Sequence, residues 1–158
     1  MEFLASLERS ELSTMLRESG SIWAYPTVLT LHTMGLGVLV GAHWVLSLRL
    51  LGVGADVPLF VFRRLFRYMW LGFWINLVTG VLLFIQAATT KAVQRVFWVK
   101  LAFVFAGVAL VLITRRVVYP RNRHQEMLGI PSHGRALALS AIVVWAAAIT
   151  AGRLMAYF

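Results

Sequence analysis

The sequence contains no cysteine, and only six of its 158 residues are acidic. The absence of cysteine excludes disulfides, thiolate metal sites and cysteine catalysis. No carboxylate occurs between Asp56 and Glu126, and none follows Glu126. Proton-coupled transporters and di-iron proteins usually rely on Asp or Glu inside their helices, so both classes are disfavoured. No Ser/His/Asp set, phosphate-binding loop or HExxH motif is present.

Hydrophobic residues make up 60% of the chain, and the formal net charge is +9. A soluble domain of this length would not carry so much apolar surface, which indicates an integral membrane protein. The basic residues lie mostly between apolar runs, as in the connections of a membrane protein. We therefore expect the lipid bilayer, and not nucleic acid, as the partner of these charges.

The order of apolar and polar segments predicts an all-α integral membrane protein. Residues 1–22 form an amphipathic N-terminal segment, in which a short helix over 3–18 is expected to lie on the membrane or cap the bundle. Residues 23–158 are long enough for four spans joined by short connections, which favours an antiparallel four-helix bundle. The spans are predicted at about 26–51, 68–88, 96–118 and 134–157.

Basic residues are concentrated in the first and third connections between spans. Excess positive charge marks the cytoplasmic side, so we expect both termini in the periplasm of a bacterium and the protein in its inner membrane. The residues behind this asymmetry are Arg49, Arg63, Arg64, Arg67, Arg115, Arg116, Arg121, Arg123 and Arg135, against Arg9, Arg17, Lys91, Arg95, Lys100 and Arg153 on the other side.

His32 lies inside the first span, about eight residues or roughly 12 Å from its outer end. A titratable ring is costly in lipid, so it must face protein, water or a cofactor. The same topology brings Lys100 of the third span and Arg153 of the fourth to the outer half. Three of the four predicted helices therefore contribute a nitrogen-bearing side chain there.

These side chains suit one b-type haem. A neutral imidazole is a good axial ligand for haem iron, and Lys100 and Arg153 can pair with propionates. Gly35, one turn from His32, leaves room for a flat macrocycle, although such glycines equally permit close helix packing. The competing explanations are a His32 ring hydrogen-bonded across the bundle to Asn76, a threonine or a carbonyl, a snorkelling Lys100 and an interfacial Arg153.

His43 follows His32 by eleven residues, which places both rings on one helical face about 16 Å apart. That spacing is compatible with two stacked haems, but the second and third spans contain no histidine to complete bis-histidine sites. A single haem would be five-coordinate or use an unusual second ligand, such as deprotonated Lys100 or Met155. His124 and His133 belong to the arginine-rich third connection, where a solvated loop is the favoured interpretation.

The first span carries Leu31-His32, Gly35, Val40-Gly41 and a Leu-Arg-Leu-Leu-Gly stretch over 48–52. With Tyr25-Pro26 before it and the C-terminal 151–157, this pattern resembles an uncharacterised group of small bacterial four-span membrane proteins over almost the whole chain. The stretches at 79–83 and 98–101 extend a more distant resemblance to HemJ-type protoporphyrinogen oxidases and CopD-type copper-resistance proteins. The HemJ resemblance implies that His32 and Lys100 serve haem or porphyrin chemistry.

Three functions compete at this point. The first is a haem protein for electron transfer or oxidoreduction near the periplasmic face. The second is a non-catalytic subunit that packs through its small residues against a larger membrane complex or another copy of itself. The third is copper handling by His32, Met34 and His43, although Met34 points about 160° away from His32 on the helix.

Overall fold

The computed structural model describes residues 2–11, 13, 24–119, 133–155 and 157. This part of the chain is helical and contains no strand, which confirms the predicted all-α class. It comprises α1 (Glu2–Glu8), α2 (Ala24–Leu50), a 3-10 helix (Leu59–Arg64), α3 (Leu65–Ile85), α4 (Ala88–Val93), α5 (Arg95–Val118) and α6 (Gly134–Leu154).

Four of these segments are long and apolar enough to cross a membrane. A span needs about 20 residues, and the helices supply from 21 to 27. The 3-10 helix runs directly into α3, so the second span covers Leu59–Ile85 and begins earlier than the sequence predicts. The protein is thus a membrane protein built as a four-helix bundle.

The connection between the second and third spans folds back on itself. After α3, Ala87 leaves the helical region with φ −145° and ψ 41°, and the short α4 follows. Gln94 is extended, with φ −73° and ψ 115°, and the helix α5 begins at the next residue. The second span ends at Ile85, three residues before the predicted Ala88. The turn at Ala87 brings α4 back towards the bundle, where Lys91 contacts the carbonyl oxygen of Leu83.

The helices pack in the order α3, α2, α6, α5. At the α2–α3 contact a Cβ added to Gly72 would lie 2.6 Å from the carbonyl oxygen of Gly35. At the α5–α6 contact a Cβ added to Gly107 would lie 2.7 Å from Cζ2 of Trp145. Small residues let helices approach closely where lipid supplies no hydrophobic driving force between them. The buried core includes Leu39, Leu46, Met69, Val111 and Trp145.

The two ends of the bundle differ in chemistry. One end, called the α4 end here, contains α4, the start of α2 and the last turn of α6. Helix α1 packs on α4 there, and Thr89 Oγ1 donates a hydrogen bond to Glu8 Oε2 at 2.8 Å. Helix α1 lies within the predicted amphipathic segment 1–22, of which residues 1, 12 and 14–22 fall outside the described part. The opposite, arginine-rich end carries Arg49, Arg63, Arg64, Arg67, Arg115, Arg116 and Arg135.

Candidate functional site

The imidazole of His32 reaches from α2 to α3 near the α4 end. Its Nδ1 lies 3.1 Å from the carbonyl oxygen of Asn76 and 3.0 Å from Oγ1 of Thr79. The side-chain amide of Asn76 donates in turn to the carbonyl oxygen of His32 at 2.9 Å and lies 3.4 Å from Nε2. The ring thus makes the cross-bundle hydrogen bonds to Asn76 and a threonine that the sequence allowed.

These contacts determine which ring nitrogen carries the hydrogen. A carbonyl oxygen can only accept, and the Thr79 hydroxyl already donates to the carbonyl oxygen of Ile75 at 2.6 Å. Nδ1 must therefore be the donor, which leaves Nε2 with a lone pair in the neutral ring. A metal-ligating histidine usually donates from one nitrogen to a carbonyl and ligates through the other. In this structure the other nitrogen, Nε2, lies 3.4 Å from the Asn76 amide, which donates to it.

Gly80 makes room for the ring. A Cβ at this position of α3 would lie only 3.1 Å from Cε1 of His32, closer than side-chain carbons normally approach. The glycine lets the imidazole lie against the α3 backbone, where Asn76 and Thr79 can hold it. Hydrogen bonds and packing together fix the orientation of the ring.

The side chain of Lys100, in α5, packs against α6 near the end of the bundle. Its stem lies along Gly152 of α6, where an added Cβ would be 3.6 Å from Cε and 4.0 Å from Nζ. The side chain is partly buried, and within the described residues no acceptor forms a hydrogen bond with Nζ. Arg153, the next residue of α6, is exposed in the last turn of that helix.

Lys91 completes a cluster that the sequence did not predict. This residue of α4 donates through Nζ to the carbonyl oxygen of Leu83 at 3.2 Å, and burial holds its pKa below the ordinary value. His32, in the first half of α2, and Lys100, near the start of α5, lie at the same end of the bundle as Lys91. His32, Lys91 and Lys100 are called the basic cluster below. One sequence signal could have pointed to the two lysines together: Lys91 and Lys100 are the only lysines in the chain.

Gly35 lies at the contact between α2 and α3. A Cβ there would lie 2.9 Å from the backbone nitrogen of Asn76 and 3.0 Å from the carbonyl oxygen of Gly72. The space beside Gly35 is filled by α3. The residue instead permits the close approach of α2 and α3 that brings His32 within reach of Asn76.

The copper ligands proposed from the sequence occupy different environments. Met34 is 61% exposed on the surface of α2, whereas His43 is fully buried and bonded to Trp145. Among the described residues no three His, Cys, Asp or Glu side chains form a group that could hold a metal ion. His133 is at the start of α6 at the arginine-rich end, and His124 lies outside the described residues.

The chain as a whole resembles one known family. A family model matches residues 3–158, which include every helix described above except the first residue of α1. The chain belongs to a family of unknown function, DUF6644. No curated protein and no solved structure matches it. Family membership confirms that the chain belongs to an uncharacterised group, as its sequence pattern predicts.

Proposed function

We propose that this membrane protein binds one b-type haem, or a related porphyrin, through Nε2 of His32. The observation that carries the proposal is the hydrogen bond from Nδ1 to the carbonyl of Asn76, which makes Nε2 the ring nitrogen with the lone pair. Thr79 and Gly80 support the same ring orientation. Ligation requires the Asn76 amide, 3.4 Å from Nε2, to move aside while it keeps its stronger bond to the His32 carbonyl.

The cations near His32 suit the propionates of such a ligand. Lys100 has no acceptor among the described residues, and Lys91 uses one of its three donors on Leu83. Arg153 follows Gly152, against which Lys100 packs, and is exposed to reach a group at the end of the bundle. Charge-assisted hydrogen bonds to carboxylates are among the strong ones, which suits these residues to anchor the ligand.

A bound haem supplies one-electron chemistry, so we assign the protein to electron transfer or oxidoreduction. In this proposal His32 holds and orients the ligand, while the basic cluster binds its acidic groups. The arginine-rich end would face the cytoplasm of a bacterium, by the excess of positive charge there. The α4 end, with the site and both termini, would then lie at the periplasmic face of the inner membrane.

The test is the absorption spectrum of the full chain after expression with a full haem supply and after reconstitution with haem. We expect a Soret band in oxidised and reduced protein that His32→Ala abolishes. His133→Ala, at the arginine-rich end, is the matched control and should keep the band. Colourless wild-type protein, or a band of equal intensity in His32→Ala, would overturn the proposal.

A further inference from the structure

A narrow groove lies between the two outer helices of the bundle. Helices α3 and α5 are the ends of the packing order, and within the described residues they do not pack closely on each other. The groove between them is apolar, with a residue of α2 at its base. It is lined by Leu39, Met69, Trp70, Phe73, Val108 and Val111. On its walls Trp70 and Val108 are only half-buried, so the groove opens towards the surrounding lipid.

A contact between α5 and the second span closes the groove at the arginine-rich end. The hydroxyl of Tyr119, which directly follows α5, donates to the carbonyl oxygen of Leu59 at 2.8 Å. The Tyr119 ring also meets Phe66, in the first turn of α3, edge to face with the centroids 5.6 Å apart. The two helices are therefore held together near the membrane surface, and the groove lies deeper in the membrane.

An arginine continues each wall of the groove towards this contact. Arg67 of α3 lies three residues before Trp70, and Arg115 of α5 lies four residues after Val111. Residues three or four apart are neighbours on the surface of a helix. Each arginine is therefore about 5–6 Å along the helix axis from a side chain that lines the groove.

The two arginines have no counter-charge among the described residues. Both are exposed, and neither guanidinium forms a hydrogen bond or an ion pair in the described part of the chain. Asp56, in the connection at the same end, pairs with neither of them. A guanidinium binds phosphate through two parallel hydrogen bonds, and basic pockets between membrane helices bind anionic headgroups.

We propose that this groove binds an acyl chain of an anionic phospholipid whose phosphate is held by Arg67 and Arg115. The lipid belongs to the leaflet at the arginine-rich end, so its chain and its phosphate both stay at their normal depths in the bilayer. A second copy of the chain in the same orientation suits the groove less well, because it would bring further arginines to this end. The site lies at the opposite end from His32 and does not depend on the proposed haem.

The test is native mass spectrometry of the full chain in detergent, titrated with phosphatidylglycerol or with phosphatidylcholine that has the same acyl chains. We expect one phosphatidylglycerol to bind about tenfold more tightly than phosphatidylcholine, because its headgroup is anionic. Arg67→Gln and Arg115→Gln should each weaken phosphatidylglycerol binding by about fivefold and leave phosphatidylcholine binding unchanged. Arg116→Gln removes an equal charge about 100° around α5 from Arg115 and should bind like the wild type.

A substitution that fills the groove tests the acyl-chain part of the site. Val108→Phe should weaken the binding of both lipids to the same extent, because the new ring occupies the space of the chain. Ile113→Phe adds a ring at an exposed position on another face of α5 and should leave binding unchanged. Circular dichroism in the same detergent checks that each variant keeps its helices.

Three outcomes would overturn the proposal. The first is equal affinity of the wild type for the two lipids, and the second is an equal loss in Arg115→Gln and Arg116→Gln. The third is a dimer of the chain that excludes phosphatidylglycerol and is lost in Val108→Phe, because a second copy would then occupy the groove.

Discussion

The indole of Trp145 donates a hydrogen bond to Nδ1 of His43 at 2.9 Å, across the contact between α2 and α6. Both side chains are 0% exposed, and the rings meet edge to face with centroids 6.5 Å apart. Gly107 of α5 lies against the six-membered ring of the indole. Three helices therefore meet at Trp145, and His43 is the polar residue that fixes where α6 sits against α2.

Trp145→Phe should destabilise the bundle strongly. The change leaves Nδ1 of His43 buried without its donor, which costs about 1–3 kcal/mol, and also removes packed volume beside Gly107. We expect the free energy of unfolding, measured by SDS titration in mixed micelles with circular dichroism, to fall by about 2 kcal/mol or more. Trp74→Phe is the matched control, because Trp74 is 57% exposed on the lipid side, and should change stability by no more than about 0.5 kcal/mol. Equal losses in the two variants would show that the hydrogen bond to His43 contributes nothing.

The spans and their order could be predicted because membrane thickness sets the length of an apolar run. The polar contacts could be predicted only in part, since they depend on how each helix is rotated. Asn76 could be predicted as a possible partner of His32, because the two residues lie in neighbouring spans. The hydrogen bond between His43 and Trp145 could not be predicted, because nothing in the sequence positions of these residues indicates that their side chains meet. Lys91 was missed for another reason: it belongs to a connection, and only the turn at Ala87 folds α4 back against the bundle.

Gly72→Ala should separate α2 from α3. The new Cβ would lie 2.6 Å from the carbonyl oxygen of Gly35 and 2.8 Å from the backbone nitrogen of Leu39, and backbone atoms cannot rotate away. Overpacking of this kind costs about 1–3 kcal/mol, measured in the same SDS titration. Gly37→Ala, with no atom within 4 Å of its new Cβ, should leave stability unchanged or slightly raised. A Gly72→Ala variant as stable as Gly37→Ala would contradict the close approach of these helices.

Thr79→Val tests whether the partners of Nδ1 matter for the proposed haem ligand. Valine keeps the shape of the side chain but removes the oxygen 3.0 Å from Nδ1. Loss of a hydrogen bond to the non-ligating nitrogen typically lowers metal affinity by 10–100-fold, so haem affinity measured from the Soret band should fall by about tenfold. Thr33→Val alters an exposed threonine next to His32 in the chain, whose hydroxyl bonds only to Leu29, and should bind haem normally. Unchanged affinity in Thr79→Val would argue against ligation through Nε2.

The affinity for an anionic porphyrin should depend on pH through Lys91. Burial lowers the pKa of this lysine from its ordinary value of about 10.4. The charged form binds the anion, so affinity is highest below the lowered pKa and falls as the pH rises through it, earlier than for an exposed lysine. The free energy of unfolding of the unliganded protein changes in the opposite direction. Burial penalises the charged form of Lys91 in the folded protein, so stability increases as the pH rises from the lowered pKa towards the ordinary pKa.

Titrations of metal-free protoporphyrin IX between about pH 7 and pH 10 measure this effect. The Lys91 ammonium donates to the carbonyl oxygen of Leu83, and Thr89 on the same helix donates to the carboxylate of Glu8 from α1. In Lys91→Arg the guanidinium stays charged over the whole range, so the part of the pH dependence caused by Lys91 should disappear. A wild-type affinity that does not change over this range, or an equal fall in the doubly substituted Lys91→Arg/Lys100→Arg protein, would show that neither lysine binds the anion.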